Sequence, residues 1–211
     1  MNLPVEYLRE YGLILLIGWA SGISIYLTIL LVGVGGRMGW IVLPPGLEIF
    51  THPLVIAAAF VMYAVEFCAD KVPLVDSAWD SVHTFVRPAG AAALAFMAGT
   101  EYGPAIQTSL AVLTGTVALD VHAVKASSRL AINTSPEPFS NSVASVVEDS
   151  AVIMMFYFFT KHPVIATLLI LVFLVGTFFV LRALWRFVLK IFRRPAAEEP
   201  RNSSADKSPV I

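Results

Sequence analysis

The stretch Tyr11–Val34 reads YGLILLIGWASGISIYLTILLVGV and holds no Asp, Glu, Lys or Arg. A membrane helix needs about 20 mostly apolar residues, so this run is long enough to cross a bilayer. The rest of the chain agrees. Across 211 residues, hydrophobic types make up 57% and charged types 14%, with a mean hydropathy of +0.78. A soluble domain carries about 25% charged residues. At this length, 14 basic and 15 acidic side chains cannot cover a surface that faces water. The composition excludes an ordinary cytosolic enzyme and implies an all-α polytopic membrane protein.

Two further classes fall on the same numbers. The net charge of −1 leaves no excess of Lys and Arg to neutralise phosphates, so nucleic acid is not an expected partner. Cys68 is the single cysteine, which leaves no disulfide framework and no thiolate metal site of the usual kind.

Working outward, five more runs qualify as spans: about 53–67, 82–99, 104–124, 146–159 and 163–188. Six transmembrane helices are expected, in one polytopic membrane domain over 1–194. The N-terminus has no basic region ahead of its apolar run and no small-x-small cleavage site, so it does not read as a cleavable signal. Residues 195–211 are rich in Pro, Ser, Ala and charge, and read as a disordered cytoplasmic tail. With six spans, twelve of the fourteen basic residues fall on one side, leaving Arg37 and Lys161 on the other. The positive-inside rule then makes both termini cytoplasmic, in an inner membrane.

Two halves, about 11–100 and 103–190, can be laid over one another. Arg37 falls on Arg129 and Pro44 on Pro136 at one identical spacing, and Lys71-Val72-Pro73 falls on Lys161-His162-Pro163. With three spans each, the second half would be inverted, an architecture that recurs in transporters with the site near the midplane. An inverted 3+3 repeat with interrupted or amphipathic helices is the expected fold.

Ionisable groups at membrane depth are costly, so they face an interior or pair with one another. The densest set lies between Glu66 and Pro88. Asp76 is placed to cap a helix starting at Ser77. On that helix Asp76, Asp80, His83 and Arg87 fall along one face, while Trp79, Val82 and Val86 occupy another. An interfacial helix with solvated charges and a stripe lining a cytoplasmic vestibule both fit. His83 with Asp80 suits a metal pair, a proton relay or a structural hydrogen bond.

The second half has its own set. His122, Lys125 and Arg129 share a side of their helix, and Asp120 lies about two turns deeper than Arg129. Pro136 and Pro138 forbid a continuous helix, and Ser140 or Asn141 can cap the next one. Glu148 and Asp149 then sit near the start of an apolar run, but diverge by about 100° around the axis. Gly18-x-x-x-Gly22 and Gly35-x-x-x-Gly39 permit close helix contact, and Gly35-Gly36 is a candidate break in the first helix.

Two groups of these residues resemble the signature of the domain of unknown function 4126 family. One runs from Ala69-Asp70-Lys71-Val72-Pro73 through Asp76, Trp79-Asp80 and His83 to Arg87-Pro88-Ala89-Gly90-Ala91. The other comprises Lys125, Arg129, Asn133, Ser135-Pro136-Glu137-Pro138, Ser140-Asn141 and Glu148-Asp149. The resemblance covers about 12–175 and implies a bacterial-type integral membrane protein. It brings no activity with it.

The leading expectation is a small transporter or channel with a mixed-charge site or gate on the cytoplasmic side. Its pathway residues are expected among Asp70, Lys71, Asp76, Asp80, His83, Arg87, Asp120, His122, Lys125, Arg129, Asn133, Glu137, Asn141, Glu148 and Asp149. Charges of both signs suit a network that opens and closes. The cargo stays open between an ion, a small polar solute and a lipid headgroup. The lipid bilayer is the expected partner, with a homo-oligomer to help wall the path, and no cofactor is expected. The alternatives are a metal-dependent membrane enzyme acting on a phosphorylated lipid, or a structural subunit. Against the enzyme, there is no HExxH, no Gly-rich phosphate loop and no nucleophile–base arrangement.

Overall fold

The computed structural model describes residues 3–133 and 138–192. Its helices are α1 (Leu3–Ile23), α2 (Ile25–Arg37), α3 (Pro53–Ala69), α4 (Pro73–Ala98), α5 (Pro104–Ile132), α6 (Pro138–Lys161) and α7 (Pro163–Phe192). Two 3-10 turns, Pro45–Thr51 and Thr100–Tyr102, join α2 to α3 and α4 to α5. Among the described residues there is no strand. Proline opens each helix from α3 to α7, where its missing N–H costs nothing and its fixed φ suits the first turn.

The chain is a membrane-type helical protein. Helix α5, α6 from Phe139 and α7 as far as Ala183 are long and apolar enough to cross a bilayer. The turn Pro45–Thr51 and α3, bent by 72°, together make a fourth candidate. The expectation of six crossings is met only in part. Helix α4 is long enough but carries Asp76, Asp80 and Arg87, and the first apolar run is broken.

That break is the main correction to the sequence reading. Ser24 takes an extended conformation (φ −151°, ψ 110°), and its hydroxyl accepts from Leu27 N to cap α2. A serine can thus replace the helix ladder with a local bond of its own. The chain then doubles back. Arg9 and Glu10 of α1 line one cavity with Trp40–Pro45, Glu101 and Pro163, so both arms of the α1–α2 V open at the same end. Each residue of helix rises about 1.5 Å, which makes the 13-residue α2 about 20 Å long, short of the ~30 Å hydrocarbon core.

Arg9 therefore belongs with Arg37 and Lys161, not with Lys71 and Arg129. Adding α3 to α7 after the V brings the end of α7, at Phe192, to the end of the bundle opposite Arg9. The proposed glycine break is also moved: α2 runs through Gly35-Gly36 to Arg37. Gly39, at φ +70° with nothing within 4 Å of a Cβ, serves a turn rather than a helix contact.

The repeat anchors are unlike one another in part. Arg37 is exposed and donates to Thr51 O at 3.2 Å, whereas Arg129 is buried. Lys71 and Lys161 each lie over an aromatic ring one turn earlier, Phe67 and Tyr157.

Helix α1 is the hub of the core. Its Leu13, Leu16, Ile17 and Ala20 are buried with Leu94 of α4, Val121 of α5, Phe156 of α6 and Ile170 of α7. The Gly18-x-x-x-Gly22 motif serves α5: a Cβ on Gly22 would stand 2.7 Å from Ala118 O and 2.6 Å from Val121 Cβ. Backbone and a β-branched carbon cannot swing aside. Gly22→Val should therefore destabilise by about 1–3 kcal/mol through overpacking, read as a fall in the thermal midpoint in detergent. An unchanged midpoint would contradict the close approach.

The outward faces are apolar. Val172, Val175 and Phe179 of α7 and Phe60 and Val61 of α3 are all exposed, as expected of surfaces whose solvent is lipid.

A buried ion network at a helix break

Helix α4 starts at Pro73 with Val72 as its cap, so Asp76 lies in its first turn rather than capping it. The helix runs unbroken through Pro88, merging the expected lead-in and third span. Along it, Asp76, Asp80, His83 and Arg87 all point inward and are buried, while Val82 and Phe85 are exposed. From α5, His122, Lys125 and Arg129 join them, again all buried. Helix α3 adds Glu66 and Asp70 near its end, and α6 adds Asn141, Glu148 and Asp149. Arg87 is 0% exposed and Arg129 1%, so neither guanidinium has water as an alternative partner.

Two arginines organise the network. Arg87 donates through Nη2 to Glu66 Oε1 at 2.8 Å and through Nη1 to His122 Nδ1 at 2.6 Å. Its Nη1 also lies 3.2 Å from Asp80 Oδ1, off the N–H direction, so this is an ion pair without a hydrogen bond. Arg129 holds Glu148 in a fork, Nη2 to Oε2 at 2.6 Å and Nε to Oε1 at 3.4 Å. Its Nη1 donates to Asp70 O at 3.1 Å and Asn141 O at 3.2 Å, tying α5 to α3 and α6. Asp76 Oδ1 lies 3.7 Å from the same nitrogen. Lys125 Nζ bonds Asp70 Oδ2 at 2.9 Å and lies 3.5 Å from Glu148 Oε2.

The break in the first helix enters here. With Leu27 N bound to Ser24 Oγ, the carbonyls that end α1 are free for other donors. Arg87 Nη1 reaches Gly22 O at 3.4 Å and Lys125 Nζ reaches Ile23 O at 3.1 Å. Cations thus sit at the negative end of the α1 dipole. The Ser24 hydroxyl in turn donates to Glu66. Unwound backbone and a half-helix end at a buried ionic site are the parts from which transporters build substrate and ion sites.

Amides and rings complete the lining. Asn133 donates to Asp76 Oδ2 at 3.0 Å and to Pro73 O at 3.2 Å, and accepts from Asn141 Nδ2 at 2.7 Å. His83 Nδ1 lies 2.8 Å from Trp79 O, and its ring stacks on Trp79 at 4.5 Å. Tyr63 donates to Asp149 Oδ2 at 3.0 Å. Tyr63→Phe should cost about 1 kcal/mol, the net worth of one hydrogen bond, measured as a lower thermal midpoint. No change would mean that Asp149 does not depend on α3.

Two of the expected pathway residues lie elsewhere or cannot be placed. Asp120 accepts from Thr177 of α7 and so faces away from the network. Glu137 lies outside the described residues. Lys71 stays at the edge of the network, donating to Phe67 O at 2.9 Å with Asp149, Asp70 and Arg129 in electrostatic reach. Ser24, Tyr26, Tyr63 and Glu66 belong to the network but were not among those expected. A hydroxyl inside the uncharged run at Ser24 and a carboxylate in the last turn of an apolar helix at Glu66 were the available signals. Among the described residues, no three His, Cys, Asp or Glu side chains form a group that could hold a metal ion.

A family model described as Domain of unknown function (DUF4126) matches residues 12–183. The chain belongs to this family. The matched DUF4126 region takes in α1 from Gly12, all of α2 and every residue of the ion network. No protein with a curated description matches the chain, and no solved structure does.

At the other end of the DUF4126 bundle, Tyr102 donates to Glu10 and stacks on Tyr11 at 5.8 Å. Burial and then the Glu10 hydrogen bond raise the Tyr102 pKa, so this phenol keeps its proton. It fastens the start of α1 to the α4–α5 connection.

Proposed function

We propose that this DUF4126 protein is a small membrane transporter or channel whose gate is the Arg87–Lys125–Arg129 network. The observation that carries this reading is the break at Ser24, which lets two buried cations reach the end carbonyls of α1. A rigid structural bundle has no need to interrupt its central helix inside the hydrocarbon and then satisfy the freed groups with charges. Each cation has more than one carboxylate within reach, as Lys125 has Asp70 and Glu148. Such a network can exchange partners between two discrete arrangements and so alternate between closed and open.

Orientation follows from the corrected topology. All basic residues other than Arg9, Arg37 and Lys161 lie in the half of the bundle that holds the network, or follow in the sequence beyond it. The positive-inside rule supports a cytoplasmic network half and C-terminus, with the mouth of the V facing the other side. The bilayer covers the apolar faces of α3, α6 and α7. A second copy against one of these faces would give a homo-oligomer. The metal-dependent lipid-enzyme reading has no supporting group of ligands among the described residues.

Purified protein in liposomes tests the proposal. Passage of H⁺, Na⁺, K⁺ or Cl⁻, or release of a trapped small polar solute, is expected above protein-free vesicles and should disappear in Lys125→Met. Impermeability to all of them, with the protein folded and correctly inserted, would overturn it.

A further inference from the structure

The mouth of the V holds a second feature, at the far end of the bundle from the ion network. Beside the cavity that Arg9 and Glu10 line, another of about 530 Å³ lies between α2 and α6. That size falls in the range of small-molecule sites. Trp40, Ile41 and Thr160 line both cavities, so the chain that follows α2 is part of the wall between them.

The larger cavity changes character along its length. Helices α2 and α6 both run from the network end towards the mouth. The inner part is walled by Leu31 of α2 and Ile153 and Phe156 of α6, the outer part by Trp40, Tyr157 and Lys161. From Ile153 to Lys161 the helix rises about 12 Å. Ile41 and Phe156 are buried and form a floor, whereas Ile153, Tyr157 and Trp40 are exposed and form a rim. The cavity therefore opens sideways, onto the surface that the bilayer covers. Helices α2 and α6 touch one another, so the gap is a slot, too narrow for a further helix about 10–12 Å wide. An extended hydrocarbon chain has the shape to enter it.

Lys161 decides what heads that chain. Each cation of the network has a carboxylate beside it. Lys161 has none within ion-pair reach among the described residues. Its ammonium stands over the Tyr157 ring, 5.9 Å from the centroid, and its three donors have no acceptor among those residues. Lys71, which also lies over a ring, differs in donating to Phe67 O. Trp40 and Tyr157 add amphipathic rings of the kind that sit where headgroups meet hydrocarbon. An apolar slot below a cation without a counter-charge complements a lipid whose phosphate is anionic.

We propose that the slot between α2 and α6 binds one phospholipid of net negative charge, with an acyl chain against Leu31, Ile153 and Phe156 and the phosphate at Lys161. Seated there, the lipid backs the Trp40–Ile41 wall of the neighbouring cavity. The site stands whether or not the network at the other end passes an ion.

Native mass spectrometry of the full chain released from detergent, titrated with phosphatidylglycerol or phosphatidylcholine, tests this. One phosphatidylglycerol is expected to bind saturably and ahead of phosphatidylcholine. Lys161→Gln, at an exposed position, should weaken that binding about fivefold, the effect of one basic residue beside an anionic lipid. Ile153→Trp, which fills the slot from its rim, should abolish it. Arg182→Gln, towards the other end of α7, should leave it unchanged. Thermal midpoints of the lipid-free variants establish that each is folded. Equal affinity for the two lipids, retention in Ile153→Trp, or a Lys161→Gln affinity equal to that of wild type or of Arg182→Gln would overturn the proposal. Dimers that carry no lipid would also overturn it, by putting a second copy on this face.

Discussion

Arg129→Gln is expected to abolish passage through the protein and to lower its stability by about 3–5 kcal/mol, the cost of removing one partner from a buried ion pair. The size follows from what this side chain does. It holds Glu148 in a fork, and its Nη1 joins the backbones of α3 and α6 through Asp70 O and Asn141 O. Glutamine can replace one of these donors but not a charge. Glu148 and Asp70 would then share Lys125 alone, two carboxylates for one ammonium. Arg129→Lys separates the two effects: it keeps the charge but loses the fork and the backbone bonds. A midpoint partly restored by Lys, with passage still absent, is the expected pattern. Wild-type stability in Arg129→Gln would mean that the network is not closed as described.

Arg87→Met is the second large effect, again about 3–5 kcal/mol. It strands Glu66, which is buried at 2% exposure with the Ser24 hydroxyl as its other partner. It also leaves Gly22 O without its donor at the end of α1. Glu66→Gln alone should cost less, since the amide keeps the size and an acceptor for Ser24. Combining the two should recover part of the loss. A coupling energy of about 0.5–3 kcal/mol is typical for residues in direct contact, and the double-mutant cycle reads it directly from four thermal or denaturant midpoints. Strict additivity would show that Arg87 and Glu66 do not act as a pair.

Much of this site could be read from the sequence, for a physical reason. Asp76, Asp80, His83 and Arg87 are charged or polar at helical spacing beside small and apolar residues, and a bilayer leaves such a stripe only one direction to face. The same holds for His122, Lys125 and Arg129. Periodicity says nothing of the partner, however, so Asp120 could not be separated from them. It sits among the same residues in sequence but one face away, where Thr177 meets it.

The break at Ser24 was hidden for a different reason. Ser, Thr and Gly are common in membrane helices, and a run without charge looks continuous whether or not the chain turns in it. The turn depends on one hydroxyl choosing Leu27 N and Glu66 over the helix ladder, and Glu66 is far away in sequence. Read as one crossing, the run separates Arg9 from Trp40–Pro45, whereas the turn brings them to one cavity. Glycines misled in the same way: Gly35-Gly36 looked like the weak point, yet α2 passes through both.

Ion passage in liposomes, wild type beside Arg129→Lys, is the most direct test of a gate built on the broken helix. The wild type should conduct or exchange at least one small ion while Arg129→Lys, folded and inserted to the same extent, does not. Equal passage by both, or none by either, would contradict a gate at this network.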